Sequence, residues 1–195
     1  MDNKIFFGIP NQGIINIELA KFLMNHSFRF ESGCFSTKQP TDANRNFIVD
    51  RFLESECDWL FFCDSDMIPP DDIFNMLEDC KYDNFNILSP INLIRQENKI
   101  RSNIFGEQER INENYLAVDS CGCGCCFINR KVFESMKQPY FQFVLGEKGE
   151  LKISENINFT NKAKKLGFDC FIDTRYKTNH LKTLGLMELE KMKVG

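Results

Sequence analysis

The chain has 195 residues, 43% hydrophobic and 13% aromatic, enough apolar material for a core and too much for a disordered segment. Its formal net charge of −4 argues against a partner gripped through nucleic-acid phosphates, which calls for a basic face. Nine cysteines, an odd number, with no secretory signal at the start, point to free thiols in a reducing cytoplasm, the host's if the source is viral.

Ile5 to Ile9 is an apolar run ending at Pro10, short enough for a buried strand and too short for a membrane span. Ile14 to Asn25 repeats apolar residues at helical spacing, and Thr41-Asp42 opens a second helix through Leu53. Asp58-Trp59-Leu60-Phe61-Phe62-Cys63 is apolar almost throughout, as a central strand covered on both faces requires. Pro69-Pro70-Asp71-Asp72 then starts a helix running to about Cys80. A strand is expected at 86–90, and the polar stretch 95–115 reads as loop or edge structure. Farther on come a strand from Cys121 to Ile128, a helix from Arg130 to Met136 and a turn at Pro139. A helix from Ser154 to Leu166 is stopped by Gly167, and Phe168 to Ile172 is a strand. Alternating strands and helices predict an α/β fold with a mostly parallel central sheet flanked by helices. Residues 1–182 are expected to form one domain, with 183–195 a closing helix packed on it.

Asp64-Ser65-Asp66 carries the most chemical information. Two carboxylates at i and i+2, at the C-terminal end of a buried strand, lie where open α/β sheets bind ligands. Once the strand turns, both can converge on a hard cation such as Mg²⁺ or Mn²⁺, which also binds diphosphate oxygens. His180, one of two histidines, is a candidate third ligand only in that company. Cys121-Gly122-Cys123-Gly124-Cys125-Cys126 sets small residues before an apolar strand, where a backbone can approach a substrate. Its spacing lacks the separated pairs of a zinc site. Ser154-Glu155-Asn156 opens a helix with a capping serine and an acid able to act as a base.

In this order, Pro10, Trp59 to Met67, Gly122 to Arg130, and Ser154 to Phe159 leading through Asp173 to His180 resemble the GT-A nucleotide-sugar glycosyltransferases. The likeness is closest to small stand-alone enzymes of family 2 type from phages, large DNA viruses and bacteria, and it spans residues 4 to 181. It implies a GT-A fold with a small antiparallel extension. It also implies Mn²⁺ or Mg²⁺ held by Asp66 and His180, with Asp64 reaching the metal shell or the ribose. Pro10, Arg45 and Ser65 would border the nucleotide, while Gly122 and Gly124 would floor the sugar and acceptor pocket. The family commonly carries Glu-Asp with the Asp as base; here Glu155-Asn156 stands there, so Glu155 is the implied base of an inverting transfer. The implied donor is a nucleotide sugar, UDP-glucose by family frequency, and the acceptor is a glycan or another hydroxyl-bearing molecule. A nucleotidyltransferase of similar fold and a non-catalytic nucleotide- or glycan-binding module are the alternatives. A nicotinamide dehydrogenase is excluded, since Gly8 to Gly13 supplies no G-x-G-x-x-G.

Overall fold

A computed structural model describes residues 3–78, 85–96 and 99–181. The first strand, β1 (Ile5–Pro10), lies parallel to both β2 (Phe30–Ser36) and β3 (Trp59–Cys63). Farther along come β4 (Met67–Ile68), β5 (Ile87–Gln96), β6 (Lys99–Ser102), β7 (Ile104–Arg110), β8 (Tyr115–Cys121) and β9 (Cys125–Asn129). A small hairpin of β10 (Val144–Leu145) and β11 (Leu151–Ile153) precedes the last strand, β12 (Cys170–His180).

The main sheet runs β2-β1-β3-β9-β5-β12-β8-β7, with β4 paired to β12 and β6 to β5. Strands β2, β1, β3, β5 and β12 share one direction; β9 runs against them between β3 and β5, and β8 and β7 form an antiparallel extension. Helices α1 (Ile17–Asn25), α2 (Thr41–Glu54), α3 (Arg130–Glu134) and α4 (Glu155–Lys165) pack around it. Among the described residues no helix is long and apolar enough to cross a membrane.

Strand periodicity explains why β3 reads as continuously apolar. Trp59, Phe61 and Cys63 point into one core cluster with Leu19, Phe22, Phe74 and Phe127. Leu60 and Phe62 point into the other with Ile48, Phe52, Phe133, Phe141 and Phe159. Both faces are covered, so neither parity can be polar. Gly8 on β1 lets α2 close on the sheet, since a Cβ there would meet Ile48 Cγ2 at 2.4 Å.

The sequence places β1, α2, β3, α3 and α4 to within a few residues of where they lie. The stretch expected as loop or edge structure holds two edge strands, β6 against β5 and β7 against β8, whose outward residues need no apolar pattern. One expectation is corrected. The single strand expected from Cys121 to Ile128 is two, broken at Gly122-Cys123-Gly124 as the chain passes from β8 to β9. Strand β2 was not foreseen, because most of its residues are exposed at the sheet's edge. The helix expected from Pro69-Pro70-Asp71-Asp72 begins later, at Asn75, after turns at 71–74, and is described to Glu78; its expected end at about Cys80, and the closing helix of 183–195, lie outside the described residues.

Helix α4 ends as its glycine predicts. Phe168 N–H donates to Ala163 O at 3.0 Å and Gly167 N–H to Lys164 O at 3.0 Å, the pair of bonds of a Schellman cap. Gly167 has φ +87°, and nothing lies within 4 Å of where its Cβ would be, so only backbone strain opposes a side chain there. Gly167→Ala is expected to cost about 1 kcal/mol. In thermal melts the midpoint then falls by roughly 2–4 °C; an unchanged midpoint would contradict the assigned cap.

Candidate active site

The co-directed strands β1, β3 and β12 deliver their C-terminal ends to one edge of the sheet, where open α/β sheets form their crevices. Pro10 ends β1, Asp64 follows β3, and His180 ends β12. The short β4 fastens the last two together. It pairs antiparallel with the tip of β12, His180 opposite Met67, and Leu181 N–H donates to Asp66 O at 2.8 Å. The result brings the Asp66 Oδ2 carboxylate oxygen to 3.1 Å from His180 Nε2. His180 Nδ1 lies 2.9 Å from the carbonyl oxygen of Leu93.

That second contact fixes the chemistry of the first. A backbone carbonyl only accepts, so Nδ1 carries the hydrogen, and in a neutral imidazole Nε2 then presents a lone pair. Two acceptors facing each other at 3.1 Å are stabilised by a proton or a cation between them. One carboxylate oxygen and one imidazole nitrogen, the latter oriented by a carbonyl behind it, fit a divalent cation whose other positions go to phosphate oxygens and water.

Asp64 does not join them. Arg45 Nη2 donates to its Oδ1 at 2.9 Å and Oδ2 at 3.2 Å, and its backbone N–H donates to Gly124 O at 2.7 Å. Among the described residues no three His, Cys, Asp or Glu side chains are grouped to hold a metal. Of the trio expected from the sequence, Asp66 and His180 lie side by side, while the Asp64 carboxylate is held by Arg45. Burial pushes the Asp64 carboxyl above its ordinary value and Arg45 opposes this, while Asp66 and Glu155 add to the upward push.

Arg45 itself is 2% exposed. Its Nη1 donates to Cys123 O at 3.3 Å, and its guanidinium lies 5.2 Å from the centre of the Phe62 ring and 5.8 Å from that of Phe141. Glu155 Oε1 approaches Arg45 Nε to 3.5 Å, with 8% of the Glu155 side chain exposed. Burial alone would lower the guanidinium's pKa, but Asp64 foremost, then Cys123 and Glu155, raise it overall. Arg45 and Glu155, which the resemblance put near the nucleotide and at the acceptor hydroxyl, line neither cavity of the site. They lie behind Asp64 as a buried ion pair.

Two cavities meet at the aspartates. The larger, about 820 Å³, is bordered by Pro10, Ser65 and Asp66 together with Asn11, Gln12, Asn16, Gln39, Thr41 and Asn44. None of its lining residues is Lys or Arg. The smaller, about 170 Å³, is bordered by Gly122, Gly124, His180, Asn92, Asn103, Ser154 and Asn156. Asp64 borders both. At Gly124 a Cβ would stand 3.3 Å from Asp64 Oδ2, so a bare backbone there gives the carboxylate its room. The amide side chains of the large cavity were missed in the sequence. Their one signal was the polar Asn11-Gln12-Gly13 directly after a buried strand. The cysteines beside the glycines are core groups: Cys121, Cys123, Cys125 and Cys126 are buried, and burial with thiol–thiol contacts pushes Cys126 well up.

A mixed sheet of this order, with helices on both faces and a ligand crevice at the strand tips, defines a GT-A-like fold. Among solved structures the chain is similar to A197 from STIV, with a TM-score of 0.71 and 21% identity, covering 92% of this chain and 86% of that one. It is also similar to GalNAc-T7, solved with UDP, GalNAc and Mn²⁺, with a TM-score of 0.58 and 11% identity over 93% of this chain and 44% of that one. No protein-family profile matches the chain, nor does any curated protein sequence.

Proposed function

We propose that the protein is a metal-dependent glycosyltransferase that moves a sugar, by default glucose from UDP-glucose, from a nucleoside diphosphate to an acceptor hydroxyl such as that of a glycan. The observation that carries this reading is the Asp66–His180 pair, 3.1 Å apart where the two cavities meet. A diphosphate entering the large cavity meets amides, hydroxyls and two carboxylates but, among the described residues, no Lys or Arg side chain. Its charge therefore needs a cation, and Asp66 and His180 are the groups to hold Mn²⁺ or Mg²⁺ there. When bound, such an ion offsets the charge that develops on the departing diphosphate. Pro10 and Ser65 border the nucleotide, and Gly122 and Gly124 leave room for the sugar beside Asp64. Arg45 and Glu155 act through Asp64, fixing its carboxylate against the mouth of both cavities. A direct proton transfer to Glu155 would require that side chain to leave Arg45. The fold's likeness to GalNAc-T7 supports the reading.

A thermal-shift screen of UDP, GDP and ADP sugars with and without Mn²⁺ tests it. A donor at 100 times its Kd adds about 2.7 kcal/mol to the native state, or roughly 5–10 °C for a chain of this size. The expected result is a shift that depends on Mn²⁺ and disappears with a chelator. If Mn²⁺ changes the response to none of these donors, the reading fails.

A further inference from the structure

We infer that the small cavity accepts a single uncharged sugar ring and excludes carboxylated sugars, and that Ser154 and Asn156 are the residues that read the ring's hydroxyls. This rests on the glycosyltransferase reading and adds a substrate class to it. Size sets the first limit. An apolar cavity of roughly 150 Å³ accommodates one six-membered ring, so about 170 Å³ holds one ring with its substituents and not two.

The polar wall divides into groups already satisfied and groups left over. Asn92 Nδ2 donates to Ser89 Oγ and Cys125 O, and its Oδ1 accepts from Thr178 Oγ. Asn103 Nδ2 donates to Ser89 Oγ and its Oδ1 accepts from the Asn92 N–H. These two amides, 2% and 1% exposed, are a rigid backing with their hydrogen bonds spent on the protein. The first turn of α4 differs. Ser154 occupies the position before the helix without using its hydroxyl as a cap. Asn156 Oδ1 is shielded from solvent and has no hydrogen-bond partner among the described residues. Unpaired buried oxygens are rare in folded proteins because each costs its desolvation. Both residues border the cavity, so a rotation of the Asn156 amide and the Ser154 hydroxyl, which makes no cap bond, can offer hydrogen bonds to a ligand's hydroxyls.

Charge sets the second limit. Among the described residues the ionisable groups on this wall are Asp64 and His180, with no Lys or Arg. The Arg45 guanidinium is buried behind Asp64 and shared with Glu155. A uronate would bring a second carboxylate beside Asp64 with no cationic side chain to receive it, which buried sites tolerate poorly.

Calorimetry with Mn²⁺ tests this using UDP, UDP-glucose and UDP-glucuronate, with GDP, GDP-mannose and GDP-mannuronate as a parallel series. The uncharged conjugate is expected to bind at least about 10-fold more tightly than the uronate. Ser154→Ala and Asn156→Ala are each expected to weaken the uncharged conjugate by about 3–10-fold, one hydrogen bond's worth, while leaving the free diphosphate unchanged. Equal affinity for uronate and uncharged sugar, or variants that bind the conjugate like the wild type, overturns the inference while leaving the glycosyltransferase reading intact. Failure of UDP, GDP and ADP alike to bind with Mn²⁺ overturns that reading and this one together. A variant that loses the diphosphate as well has lost its fold, and the wild-type comparison of charged with uncharged sugar then decides.

Discussion

Asp66→Ala and His180→Ala each remove Mn²⁺-dependent donor binding and sugar transfer, with an expected loss above about 100-fold. The magnitude follows from what is removed. Partners that merely orient a metal ligand are worth roughly 10–100-fold, and these two side chains are the carboxylate and imidazole that face each other beside the cavities. Stability should change little by comparison. The Asp66 side chain is 41% exposed, so its contact with His180 Nε2 is partly screened by solvent. His180→Ala also forfeits the contact with Leu93 O, a hydrogen bond of about 1 kcal/mol. Circular dichroism and a melt within a few degrees of wild type would certify the fold while calorimetry reads the donor. Should both variants bind the donor in Mn²⁺ as the wild type does, the cation is not held here and the proposed activity loses its basis.

The two variants separate the aspartates as well. A strand tip bearing Asp64-Ser65-Asp66 suggests equivalent acids, but the turn gives them different neighbours. Asp66 faces the imidazole that β4 and β12 bring alongside it, whereas Asp64 faces a buried guanidinium from α2. Asp64→Ala would therefore act first on Arg45 and only then on the ligand.

How far the sequence could reach follows from the same geometry. Strand β3 and its terminal aspartates were legible because burial on both faces writes an unbroken apolar run, and the run's end marks the crevice. The stop of α4 was legible because Gly167 is a local signal, whereas the expected serine cap is not made: Ser154 holds the cap position but its hydroxyl forms no cap bond. Strands β2, β6 and β7 were not, since a strand with exposed residues at a sheet's edge carries no periodic apolar pattern. Cys121 to Cys126 looked like one strand because its core residues continue through the break, although the backbone leaves β8 and enters β9 within it. The pairing of Arg45 with Asp64 and Glu155 joins α2, the end of β3 and α4 across the core, and no spacing along the chain encodes that.

Arg45 is also where the largest loss of stability is expected. Arg45→Met keeps a flexible apolar side chain against Phe62 and Phe141 but leaves Asp64 and the buried Glu155 without their counter-charge. Removing one partner of a buried ion pair typically costs about 3–5 kcal/mol, because the remaining charge stays desolvated. For a chain of this length that lowers the melting midpoint by roughly 6–20 °C. The contact with Glu155 is the weaker half, since 3.5 Å is long for a hydrogen bond and Arg45 Nε has no hydrogen-bond partner among the described residues. Glu155→Gln alone is accordingly expected to cost less than Arg45→Met, and adding it to Arg45→Met should recover part of the loss by removing one of the stranded charges. A purely steric role for Arg45 predicts the opposite, two losses that simply add, and a double-mutant cycle of melts distinguishes them. If Arg45→Met melts within a degree or two of the wild type, the guanidinium is not what holds Asp64 in place, and the separation of the two aspartates into a cation ligand and an arginine partner has to be abandoned.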